Sequence, residues 1–162
     1  MKDVKTNAMR ILDKNKIPYD VLRYEAEIDG EYIPLSFGNC EQKIGVKSEK
    51  CFKTIVTRAK SGNYYVFMLP VDKELDLKKC ASSVKEKSVE TIAVKDLLPL
   101  TGYIRGGCSP IGMKKLFTTT IHSDCDTFDK IVFSAGKRGV MVHVGVDDLK
   151  RLIRAQSADI TF

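Results

Sequence analysis

The stretch TGYIRGGCSPIGMKKLFTT, Thr101–Thr119, follows neither a helical nor a strand period, and it gathers four glycines, a proline, small hydroxyls and paired lysines. Gly102, Gly106, Gly107 and Gly112 permit positive backbone torsions and let a ligand approach the main chain closely. Pro110 fixes its own torsion and drives Ser109 toward an extended conformation. Neither the dinucleotide fingerprint nor the Walker spacing G-x-x-x-x-G-K-[ST] is present. The segment reads either as a surface connection with a basic exit at Lys114 and Lys115 or as a platform that faces a ligand. By itself it names no ligand.

Around this loop the chain reads as one domain. Its 162 residues are enough to bury about two thirds of the unfolded surface without covalent staples. Hydrophobic residues make up 43% and charged residues 30%, which is globular usage and excludes wholesale disorder. Apolar runs such as YYVFMLPV are too short to cross a bilayer, and MKDVKTNAMR lacks the apolar core of a signal peptide, so a soluble cytoplasmic protein is expected. Cys40, Cys51, Cys80, Cys108 and Cys125 are scattered, odd in number and free of any C-x-x-C pair, which predicts free structural thiols. His122 and Cys125 stand three apart, but no second pair supplies the other ligands of a metal site, and neither a metal nor another cofactor is expected. The net charge of +6 favours an anionic partner such as a phosphate backbone, although a lysine-rich soluble surface gives the same balance.

Periodicity supplies the elements. Val4, Ala8, Ile11 and Leu12 predict an amphipathic helix over residues 3–15, ended by Pro18, and residues 19–25 read as a strand. A short helix is expected within 34–45, closed by Gly45. Residues 52–59 and 64–70 predict a hairpin across Ser61-Gly62-Asn63, and Asp76 should cap a helix that buries Leu77, Cys80, Ala81 and Val84. A helix near 94–98, strands at 130–135 and 140–144, and a last helix capped by Asp147 with Leu149, Leu152 and Ile153 facing the core complete a mixed α and β domain without repeats.

Five segments in one order carry a resemblance: KTNAMRILDKNKI, CFKTIV, LPVDKELDLKKCA, TGYIRGGCSPIGMKK and SAGKRGV. Together they resemble the YbaK family of free-standing aminoacyl-tRNA deacylases, relatives of the editing domain of bacterial prolyl-tRNA synthetase, over nearly the whole of residues 1–162. The resemblance implies an α+β fold with a mixed, curved sheet flanked by helices. It also implies removal of cysteine mischarged on proline tRNA, with the substrate thiol attacking its own ester. Implied partners are the tRNA acceptor end and, as a further candidate, prolyl-tRNA synthetase.

The family's essential lysine falls on Lys53, where a fixed cation can stabilise charge developing on a carbonyl. Phe52, Thr54 and Val56 are expected to face away from it. The family's G-x-x-x-P element falls on Gly106–Pro110. This gives Gly106 a catalytic role through its N–H and makes Gly107, Ser109 and Pro110 substrate contacts. Tyr24 and Ser134 match further pocket residues, and Lys114, Lys115, Lys137 and Arg138 are candidates for the tRNA backbone. Met141 stands where related sequences carry an acid, and an apolar side chain cannot pair with a substrate ammonium. Two alternatives stay open: a deacylase that uses water on another small amino acid such as alanine, and a module that binds tRNA ends without cleaving them.

Overall fold

The computed structural model of the chain describes residues 5–162, so Val4 and the first residues expected in the N-terminal helix lie outside them. In chain order the elements are α1 (Asn7–Lys14), β1 (Tyr19–Arg23), β2 (Glu27–Ile28), β3 (Glu31–Tyr32), α2 (Cys40–Ile44), β4 (Phe52–Ala59), β5 (Tyr64–Pro70) and α3 (Leu77–Ser83). They continue with β6 (Val89–Thr91), α4 (Val94–Thr101), β7 (Thr118–His122), β8 (Lys130–Lys137), β9 (Val140–Gly145), α5 (Val146–Ile153) and β10 (Gln156–Ala158).

Two sheets carry the fold. One has the order β1-β9-β8 and is antiparallel; the other has the order β10-β7-β5-β4-β6, with β7 parallel to both of its neighbours. A parallel bridge between Cys51 and Val132 joins the start of β4 to β8, so the sheets meet as one bent surface. The main core lies in that bend, where α1 and α5 bring Leu12 and Leu149 against Phe52, Ile121, Ile131 and Phe133. Each fully buried side chain of this size contributes about 2 kcal/mol.

Local chemistry explains the element ends. Thr6 Oγ1 accepts from the Met9 N–H at 3.2 Å and starts α1. Asp76 caps α3 by accepting from the N–H groups of Lys78 and Lys79, and Cys80 and Ala81 are buried while Leu77 is exposed, contrary to its expected inward face. The short helix expected within 34–45 is α2, closed by Gly45 as expected, and Asn39 ties the residues before it into a loop by donating to Pro34 O and accepting from the Ser36 N–H. Helix α5 starts from Gly145 without a side-chain cap, so Asp147 lies in its first turn rather than capping it. There its charge still faces the positive end of the helix dipole.

Candidate active site

A cavity of about 480 Å3 opens where the two sheets meet, walled by β4, β8 and β9, the β2–β3 hairpin and the glycine-rich loop. It brings together Lys53, Gly106, Tyr24 and Ser134 from four separate parts of the chain, with Cys108 and Met141 beside them. A second hollow of about 500 Å3 along β6, lined by Arg58, Tyr64, Glu90 and Asp96, contains none of these residues.

The Lys53 side chain makes no hydrogen bond or ion pair among the described residues. Burial pulls its pKa below the ordinary lysine value, while the carboxylates of Glu74 and Asp72 act in the opposite direction from outside the cavity. No Asp, Glu or His lines the cavity. Its walls are largely apolar, formed by Leu35, Phe52, Ile55, Val71 and Met141. Phe52 and Thr54, expected to face away, line the cavity together with Lys53, because the strand runs along the cavity wall where the sheet bends. Thr54 Oγ1 is the one buried side-chain polar atom without a partner among the described residues.

Gly106 has φ +84°, a conformation open to glycine, and an added Cβ would lie 2.3 Å from the Tyr32 ring. Gly107 packs against the backbone of Lys137 and Arg138 rather than facing the cavity. Ser109 is fully buried and its Oγ accepts from the Ile111 N–H, while Pro110 lines a separate hollow of about 120 Å3 on the far side of the loop. Gly106 is thus the member of the Gly106–Pro110 element, together with Cys108, that borders the cavity; Gly107, Ser109 and Pro110 support it from behind. Burial pushes the Cys108 thiol up to about 12, which leaves it protonated and weakly nucleophilic at neutral pH.

Ser134 pairs with Met141 across β8 and β9, and its Oγ accepts from the Gly136 N–H at 3.1 Å, leaving its own proton free to donate. Burial and the neighbouring Tyr32 raise the pKa of Tyr24, so its hydroxyl is neutral. Lys114, Lys115 and Lys137 are exposed, and Lys114 donates to Pro99 O. Arg138, expected among the tRNA contacts, has a side chain that is 28% exposed, and its guanidinium contacts Glu27, Arg105 O and the Tyr32 ring at the surface.

Tyr32, Ser36, Thr54 and Arg105 are polar residues of the cavity wall that were not expected there. The signal for Tyr32 was Asp29-Gly30, whose positive φ values of 52° and 82° close the β2–β3 hairpin. An Asp-Gly pair favours such a turn. His122 and Cys125 have separate partners: His122 Nδ1 accepts from the Ile160 N–H, and Cys125 Sγ lies beside Asp126. Among the described residues no group of three or more His, Cys, Asp or Glu converges as a metal site, and no helix is long and apolar enough to cross a membrane.

The fold is shared with solved structures. A protein described as "a putative trans-editing enzyme for prolyl tRNA synthetase" superposes with a TM-score of 0.80 at 19% identity, covering 98% of this chain and 99% of that one. A scaffold used in epitope backbone grafting by computational design matches equally, with a TM-score of 0.80 at 20% identity over 98% and 99% of the two chains. Residues 36–152 match the aminoacyl-tRNA editing domain, and the chain belongs to that family. A curated protein of Enterococcus faecalis, named "Putative Cys-tRNA(Pro)/Cys-tRNA(Cys) deacylase EbsC", is 40% identical over 157 residues, 97% of this chain and 93% of that protein.

Proposed function

We propose that the protein is a trans-editing deacylase that removes cysteine from mischarged proline tRNA in the cytoplasm, with the tRNA acceptor end as its partner and prolyl-tRNA synthetase as a second. The observation that carries the reading is a cation without a partner, Lys53, sharing an apolar cavity with a glycine turn where no carboxylate, imidazole or ionised thiol is present. Such a site can stabilise developing negative charge but cannot activate a nucleophile of its own.

The nucleophile therefore comes from the substrate. The cysteinyl thiol gives its proton to solvent water and the thiolate attacks its own ester carbonyl, and the oxyanion forms near the Lys53 ammonium and the Gly106 N–H. Collapse breaks the bond to the terminal ribose oxygen, which takes up a proton, and water opens the released cyclic thioester to free cysteine. The Ser134 hydroxyl and the neutral Tyr24 hydroxyl orient the amino acid, and the exposed Lys114, Lys115 and Lys137 meet the tRNA backbone. The test is deacylation of cysteinyl-tRNA(Pro) by wild type and Lys53→Ala. Turnover lost in the variant supports the reading. Intact ester with both proteins, together with tight and strongly salt-dependent binding, would replace it with a tRNA-end-binding module.

A further inference from the structure

Ile104 to Gly107 form a tight turn closed by a Gly107 N–H to Ile104 O bond of 2.9 Å. Gly106 at the third position has φ +84°, whereas Arg105 at the second does not have a positive φ. That combination is a type II turn, which differs from type I by a flip of its central peptide, here the Arg105–Gly106 unit. The direction of this one peptide sets where the Gly106 N–H points.

One side chain holds that peptide. Arg138 Nε donates to Arg105 O at 2.8 Å, its Nη1 pairs with Glu27 Oε1 at 3.2 Å, and its guanidinium lies 4.6 Å from the centre of the Tyr32 ring. A peptide unit is planar and trans, so a carbonyl held toward Arg138 turns the N–H of the same unit the opposite way. Arg138 does not line the cavity, whereas Gly106 and Tyr32 do. We infer that Arg138 is a positioning residue that locks the Arg105–Gly106 peptide in the type II orientation, so that the Gly106 N–H is aimed at the oxyanion.

This inference rests on the deacylase reading for its kinetic consequence and on the turn alone for its structural one. A hydrogen bond from a charged donor shifts a two-state peptide orientation by about ten- to a hundred-fold. Loss of Arg138 should therefore lower kcat by roughly that factor, leaving KM and the salt dependence of tRNA binding close to wild type. A phosphate-contact arginine would do the reverse, weakening binding and reducing the salt slope. Arg138→Lys should fail as Arg138→Ala does, because an ammonium on a flexible stem lacks the planar guanidinium that lies against the Tyr32 ring while donating to Arg105 O. Glu27→Ala, which leaves the bond to Arg105 in place, should keep kcat.

The experiment combines single-turnover deacylation of cysteinyl-tRNA(Pro) with the nuclear Overhauser contact between Arg105 Hα and the Gly106 amide proton in isotope-labelled full-length protein. That contact is strong in a type II turn and weak in type I. The proposal predicts a weakened contact and a lower kcat in Arg138→Ala, with both near wild type in Glu27→Ala. An unchanged contact in Arg138→Ala, a loss confined to KM, or an equal loss in Glu27→Ala would overturn it. An inactive wild type whose contact still weakens in Arg138→Ala would sink the deacylase reading and leave the lock standing.

Discussion

Substituting Gly106 with alanine tests the platform at its tightest point. The added methyl would sit 2.3 Å from Tyr32 Cζ, 2.7 Å from Cε1 and 2.7 Å from the hydroxyl, with φ at +84°. Holding an L-residue at such a torsion costs about 1–2 kcal/mol. Swinging the ring away sacrifices its contact with the Arg138 guanidinium, about 0.5–2 kcal/mol more. Gly106→Ala should thus destabilise the protein by about 1.5–4 kcal/mol in urea unfolding. The two parts separate in a Tyr32→Ala background, where the methyl has room and the torsional cost of about 1–2 kcal/mol remains. A coupling of about 0.5–2 kcal/mol between positions 106 and 32 is expected. Single-turnover deacylation by Gly106→Ala should also fall by about a hundredfold, the effect of displacing one oxyanion donor. A Gly106→Ala protein within about 0.5 kcal/mol of wild type, or additive behaviour with Tyr32→Ala, would refute this account of the turn.

Lys53→Met retains the stem and removes the charge, so it should abolish at least about a hundredfold of the rate while leaving stability within about 1 kcal/mol, since no ion pair is broken. The pH profile should show the same group: with the Lys53 pKa lowered by burial, the background-corrected rate should begin to fall on the alkaline side before an ordinary lysine, near 10.4, would titrate. His122 is held below its usual pKa chiefly by burial, with its ring bonded to the Ile160 N–H. Its neutral form is favoured by folding, so its contribution is complete above about pH 6.5 and declines as pH falls from there toward the depressed folded value. His122→Gln should remove that part of the pH dependence in urea titrations, and an unchanged slope would contradict it.

The hairpin β4–β5 was legible in the sequence because two apolar, β-branched runs flank Ser61-Gly62-Asn63, and its strand limits fall where expected. The α3 cap at Asp76 was legible for a similar reason, since an acceptor three residues from an N–H is a local signal. The parallel strands β7 and β10 were not, because their partners are distant in sequence and no turn residue announces them. Lys53, Gly106, Tyr24 and Ser134 were found through the family's motifs, and the structure brings them to one cavity. Arg138 was read as a candidate for the tRNA backbone, and its role on the glycine turn was not legible. Its three contacts lie on β2, β3 and the glycine turn, and no spacing along the chain reveals them.

In this mechanism the substrate supplies the nucleophile, because no carboxylate or imidazole lines the cavity to activate its own hydroxyls and thiol. The mechanism is tested most directly by measuring first-order deacylation of cysteine, serine and alanine esterified to the same tRNA(Pro), with one preparation of the protein. Rapid loss of the cysteinyl ester is expected, with the seryl and alanyl esters at their uncatalysed rates. Equal catalysed rates for the cysteinyl and alanyl esters would mean that water is the nucleophile, and would contradict it.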